Sequence, residues 1–243
     1  MILIKDKRGS HVGVVLSFVI FVTFLIFLYS VLEPQLRVEK DKEAFLEYLK
    51  RDLIRSFYDD LIVVVTKSSN AGGEGKDCIS IDVNELNVEG YNVFVFDEND
   101  NPVGASFGGT EIKINRGSTN DFYKIYLAKE EFNLDSVPEF NEGSCFEGEI
   151  GLVNEQEYIF KSLIVESIND YNTLGFDSFV SNFDLNVPAG SEFGIIFLNS
   201  KREEIIRTNE GDLSVNIFSE EIPIQYVDEN AKILSGFIVL RVW

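Results

Sequence analysis

Between its basic amino terminus and Glu33 the chain reads Val12-Gly13-Val14-Val15-Leu16-Ser17-Phe18-Val19-Ile20-Phe21-Val22-Thr23-Phe24-Leu25-Ile26-Phe27-Leu28-Tyr29-Ser30-Val31-Leu32, 21 residues without a charge. At 1.5 Å per residue this is about 31 Å of helix, the thickness of a bilayer's hydrocarbon core. Its only polar side chains are Ser17, Thr23, Tyr29 and Ser30, and helical hydroxyls can return a hydrogen bond to their own backbone. A segment so long and apolar on every face predicts a membrane span at 12–32 rather than a core helix, which would need a much larger protein around it.

Lys5, Lys7 and Arg8 precede the span against a single Asp6, so the positive-inside rule predicts a cytoplasmic leader at 1–11 and everything after Leu32 outside. A cleaved secretory signal also begins with basic residues. Its apolar region runs 7 to 15 residues and is followed by a small-x-small site, whereas here Glu33-Pro34-Gln35-Leu36 follows.

The order Lys7-Arg8-Gly9, then Ser10-His11-Val12-Gly13, then the span resembles the amino terminus of archaeal type IV pilins and archaellins. The resemblance covers about the first thirty-five residues. It implies cleavage between Gly9 and Ser10 by a prepilin-type peptidase on the cytoplasmic side, with the apolar helix kept on the mature protein. It also implies assembly with like subunits through that helix. Many members carry Glu at the fifth mature position, where this chain has Val14. Basic residues before a span equally satisfy the positive-inside rule with no peptidase.

Outside the span the helical signal continues. Leu46, Leu49, Leu53, Phe57 and Leu61 recur every three or four residues, with Phe45, Ile54 and Ile62 widening the stripe. This predicts an amphipathic stalk helix over 33–67, kinked or broken at Pro34, with Val63-Val64-Val65 readable as a last turn or as a strand. Residues 68–77, rich in Ser and Gly, read as a linker.

From Cys78 onward the period shifts to two. Strands are expected at Ile79–Val83, Val93–Phe96, Glu111–Ile114, Phe122–Leu127, Glu149–Val153, Tyr158–Val165, Phe193–Leu198, Glu204–Arg207, Leu213–Phe218, Ile222–Val227 and Ile233–Val242. A short amphipathic helix is expected within Tyr171–Phe183. The fold class is therefore α+β: an apolar helix continuing into a stalk helix, then a mainly antiparallel, sandwich-like outer domain at 78–243. A hairpin-like pattern near Tyr91–Val103 recurs near Phe193–Arg207 and hints at an internal duplication.

The two cysteines, Cys78 and Cys145, both fall in the outer part, where oxidising surroundings favour one bridge closing a loop of about 68 residues. Two buried, unpaired thiols are the alternative.

Composition limits the chemistry. With 41 acidic and 21 basic side chains among 243 residues, a net charge of −20 argues against nucleic acid as a partner. A single histidine, His11, sits at the edge of the span, so triad chemistry and most metal sets lack their parts. Asp97-Glu98-Asn99-Asp100-Asn101 has oxygen ligands at alternate positions, yet Pro102 and Gly108 stand where an EF-hand loop needs Gly and Glu; a solvated turn accounts for it. No phosphate-binding glycine spacing occurs, no cofactor is implied, and adjacent carboxylates such as Glu220-Glu221 are too numerous to single out. Trp243 ends an alternating strand and reads as an aromatic packed on the core. The expected partners are the lipid bilayer through 12–32, like subunits or other envelope proteins, and the peptidase. The expected role is structural rather than enzymatic, with a tethered binding module as the alternative.

Overall fold

One helix, α1 (Ser10–Arg55), carries the chain from its apolar stretch into the folded body. The computed structural model describes residues 10–67, 76–116, 122–209, 211 and 217–243. Its 46 residues make α1 about 69 Å long, and it passes Pro34 unbroken; a proline removes one N–H from the ladder, and the turns on either side hold the helix together. The N–H groups of Ser56 and Phe57 close it on the carbonyls of Leu53 and Ile54, both at 3.1 Å.

Here the chain departs from the expected stalk. Residues Tyr58–Lys67 are not helix but strand β1, with Leu61, Ile62 and Val64 buried. The helical stripe runs on through Phe57 at the junction to Leu61 and Ile62 of the strand, and the β-branched run Ile62–Val65 decides for strand. The apolar stripe before that boundary packs on the β domain, as its amphipathic pattern predicts. Phe45, Leu46, Leu49, Leu53, Ile54 and Phe57 are buried in the largest core cluster.

The remaining elements are β2 (Cys78–Asp82), β3 (Asn92–Asp97), β4 (Ala105–Phe107), β5 (Glu111–Asn115), β6 (Phe122–Ala128), β7 (Cys145–Glu147), β8 (Glu149–Phe160), α2 (Lys161–Leu174), α3 (Phe176–Asn182), β9 (Phe193–Asn199), β10 (Glu204–Arg207), β11 (Phe218–Val227) and β12 (Ile233–Val242). Tyr158–Val165 is thus the end of β8 and the first turn of α2, and helix begins ten residues before Tyr171. Of the strand expected at Leu213–Phe218, residues 213–216 lie outside the described residues, as do 68–75 of the linker.

The strands form an eight-stranded sheet in the order β10-β9-β12-β11-β8-β1-β6-β3 and a four-stranded sheet in the order β4-β5-β2-β7. This is not a simple two-sheet sandwich, because the large sheet has two different covers. Its β1-β6-β3 end packs Ile62, Val64, Val95, Tyr123, Ile125 and Leu127 against Ile79, Ile81, Ile112, Ile114 and Phe146 of the small sheet. Its β9-β12-β11 end is covered by helices: Phe193, Ile195, Phe197, Ile238 and Leu240 meet α1, α2 and α3. Within that cover the Tyr171 hydroxyl donates to the Phe193 carbonyl at 2.8 Å, so the one polar atom of an aromatic cluster with Phe179 and Phe193 is satisfied. The two hairpin patterns that hinted at duplication sit at opposite ends of the one large sheet.

Leu49 is fully buried where α1 meets β11 and β12. Leu49→Ala is expected to lower unfolding free energy by about 3 kcal/mol, through lost transfer energy and the cavity left behind. A urea midpoint indistinguishable from the parent protein would show that α1 is not part of the cooperative core.

Candidate functional site: an exposed apolar helix and an acidic β domain

Two halves of one helix have opposite fates. From Val12 to Leu32 no part of the most apolar window is buried, and the mean hydropathy is 2.7. The folded chain thus leaves about 31 Å of apolar helix uncovered, an arrangement water does not tolerate unless lipid or other helices take its place. The Thr23 hydroxyl donates back to the carbonyls of Val19 and Ile20 at 3.0 and 2.9 Å, so it asks nothing of the surroundings. By length and composition this is one N-terminal helix able to cross a membrane, as an anchor or as part of a signal sequence.

Of the residues expected to be processed, Gly9 lies outside the described residues and Ser10 is the first residue of α1. Val14, at the position where the resembling family often carries Glu, is exposed on the apolar half. The cysteines meet as expected. Cys78 and Cys145 face each other in the parallel β2–β7 ladder, their Cα atoms are 4.4 Å apart, and a disulfide joins them.

The other sequence candidates resolve into local structure. The buried Asp97 carboxylate accepts from the backbone N–H groups of Asn99 and Asn101, both at 2.9 Å, and from the Asn101 side chain at 3.2 Å. Those donors organise a tight turn. Glu220 and Glu221 point to opposite faces of β11: Glu220 pairs with Lys50 of α1, and Glu221 with Arg202 at 2.9 Å. Trp243 is buried, and its indole N–H donates to Glu192 at 3.2 Å.

Composition gave no pointer to one further feature. The small sheet's outer side carries a polar cleft of about 660 Å³ lined by Ser80, Asp82, Asn84, Thr110, Glu111, Glu147 and Gly148. Alternation along β2 places Ser80 and Asp82 on the side away from Ile79 and Ile81, which is what concentrates polar groups there. The Ser80 hydroxyl donates to Glu111, and Lys113 stands 3.3 Å from the same carboxylate. Those two bonds, the hydroxyl first, hold the Glu111 pKa below the usual glutamate range. Among the described residues no three His, Cys, Asp or Glu side chains are grouped to hold a metal ion.

The sign of the Glu111 shift fixes its pH dependence. A carboxylate whose folded pKa is lowered adds stability above the ordinary carboxylate range, and that contribution disappears as pH falls through the lowered value. Ser80→Ala is expected to move the Glu111 titration, followed by carboxyl-carbon NMR, back up toward the ordinary range. An unmoved titration would refute the bond's role.

Compared with protein-family models, with curated proteins and with solved structures, this chain finds no match.

Proposed function

We propose that this chain is a membrane-anchored cell-surface structural protein of the type IV pilin or minor pilin kind. In this reading residues 12–32 lie in the bilayer, the basic leader faces the cytoplasm, and the β domain stands outside. Like subunits associate through the apolar half of α1. The observation that carries the reading is the division of one continuous helix into a wholly exposed apolar half and a half buried on a β domain. The disulfide supports an oxidising exterior, and the basic residues Lys5, Lys7 and Arg8 support the orientation.

A second reading is a signal-anchored binding module that never polymerises, its β domain recognising an envelope component. Val14 in place of the family's usual Glu favours it.

Mass spectrometry of the amino terminus of the native membrane-bound protein separates the two. A start at Ser10 supports peptidase processing and assembly. An intact start at Met1 or Ile2 sinks the pilin reading and leaves the tethered module.

A further inference from the structure

The large sheet is nearly divided along its middle. β8 and β11 run parallel, and they pair only at Tyr226↔Ile159 and Val227↔Phe160, where both strands end. Traced backward from there they part. Among the described residues β8 has no strand partner on that side from Glu149 to Tyr158, while its other side is paired with β1 along its length. All residues from Glu149 to Glu157 are exposed. Backbone N–H and C=O groups along such an edge form a template for one more strand.

The two lips of this opening differ. β11 carries Pro223, which lacks a donor and is at home on an edge. β8 has no proline, so the template is β8. Its register with β1 also sorts its side chains. Glu155 and Glu157 stand opposite Ile62 and Asp60, on the side facing the small sheet. Leu152, Asn154 and Gln156 stand opposite Val65, Val63 and Leu61, on the other side. The parity changes at Gly151, where β8 holds one extra residue and a Cβ would lie 3.0 Å from the Val65 carbonyl oxygen. Leu152, beside this bulge, is 63% exposed.

Charge then narrows the occupant. Lys129 stands 3.7 Å from Asp59, and among the described residues no cation pairs with Asp60, Glu155 or Glu157. Asp60 and Glu157 are direct cross-strand neighbours of like charge, an unfavourable pair that an added cation relieves. A second copy of β8 paired antiparallel about Val153 would set Glu149 against Glu157 and add to the repulsion.

We propose that the β8 edge, Glu149–Glu157, receives an extended segment of a partner protein that alternates basic and apolar residues. The incoming backbone pairs with β8. Its Lys or Arg side chains meet Asp60, Glu155 and Glu157 on one face, and its apolar side chains meet Leu152 on the other, as the period of two requires.

The test uses the full-length protein in nonionic detergent micelles and a labelled ten-residue peptide of alternating lysine and valine. Fluorescence anisotropy is expected to show binding at least tenfold tighter than for the glutamate–valine analogue. Amide exchange at residues 149–157 is expected to slow in the complex. The double variant Glu155→Lys, Glu157→Lys is expected to reverse the peptide preference, and because both positions are exposed it tests charge without disturbing the core. The same peptide N-methylated at every backbone amide keeps the charge and loses the donors. If it binds as well, attraction is electrostatic alone and strand addition is overturned. No lysine-peptide binding overturns the proposal as well. Self-association that protects residues 149–157 and excludes the peptide would assign the edge to a second copy instead.

Discussion

Replacing Phe21 and Phe24 together by lysine is expected to strip the protein from carbonate-washed membranes. Both positions lie near the midpoint of Val12–Leu32 and are exposed, so neither change disturbs the folded body. A lysine near the centre of a span costs about 2.5 to 3.5 kcal/mol on insertion scales, and each replaced phenylalanine removes a favourable contribution. The pair shifts insertion by about 6 kcal/mol, roughly four orders of magnitude in partition. Glu43→Lys with Glu47→Lys, on the exposed side of α1 beyond Leu32, changes charge without touching the apolar half and should leave membrane recovery unaltered. Equal recovery of the Phe21, Phe24 variant and the parent would end the reading of 12–32 as a span. Mature parent protein found in the soluble fraction without residues 12–32 would make the segment a signal sequence.

Loss of the Cys78–Cys145 bond is the second large effect. The bridge closes a separation of 67 residues, for which the loop-entropy model gives about 4 kcal/mol. That is a large share of the 5 to 15 kcal/mol typical of a folded domain. The structure adds a local reason: β7 is three residues long and is held on β2 by a three-pair parallel ladder. With both cysteines changed to alanine, the unfolding free energy from guanidinium titration is expected to fall by that amount, and amide protection at residues 145–147 is expected to vanish before that of β1 or β6. Coincident midpoints for oxidised protein and variant would show that the small sheet holds β7 without the covalent tie.

Much of this fold was legible in the residues because local signals agreed with tertiary demands. β5, β6, β9, β10 and β12 were found to within a residue, each a run of alternating or wholly apolar residues closed by charged or Asn-rich turns. The errors fall where two periods overlap. Leu53, Phe57 and Leu61 keep helical spacing across a helix–strand junction, so β1 looked like more stalk. Ile159-Phe160 and Leu163-Ile164-Val165 are parted only by Lys161-Ser162 and read as one strand across the step from β8 into α2, and the helix opens at Phe160 with no side-chain cap to announce it. β4 and β7 are three residues each, too short to show a period. Of the functional features, the apolar helix and the cysteine pair needed only composition and counting. The acidic cleft and the open β8 edge depend on which strands meet across long sequence separations, and no local pattern carries that.

The place of β1 in the large sheet sets a timetable for synthesis. Its neighbours β6 and β8 end at Ala128 and Phe160, about sixty and ninety residues after Lys67. At about 5 to 20 residues per second, the strand Tyr58–Lys67 waits roughly 5 to 20 s before both flanks exist. For about the first two thirds of that interval Leu61-Ile62-Val63-Val64-Val65, a largely β-branched run, has neither native neighbour, and for the rest it has β6 alone. A chaperone that shelters this one strand while the ribosome catches up is therefore expected to raise the yield in the cell.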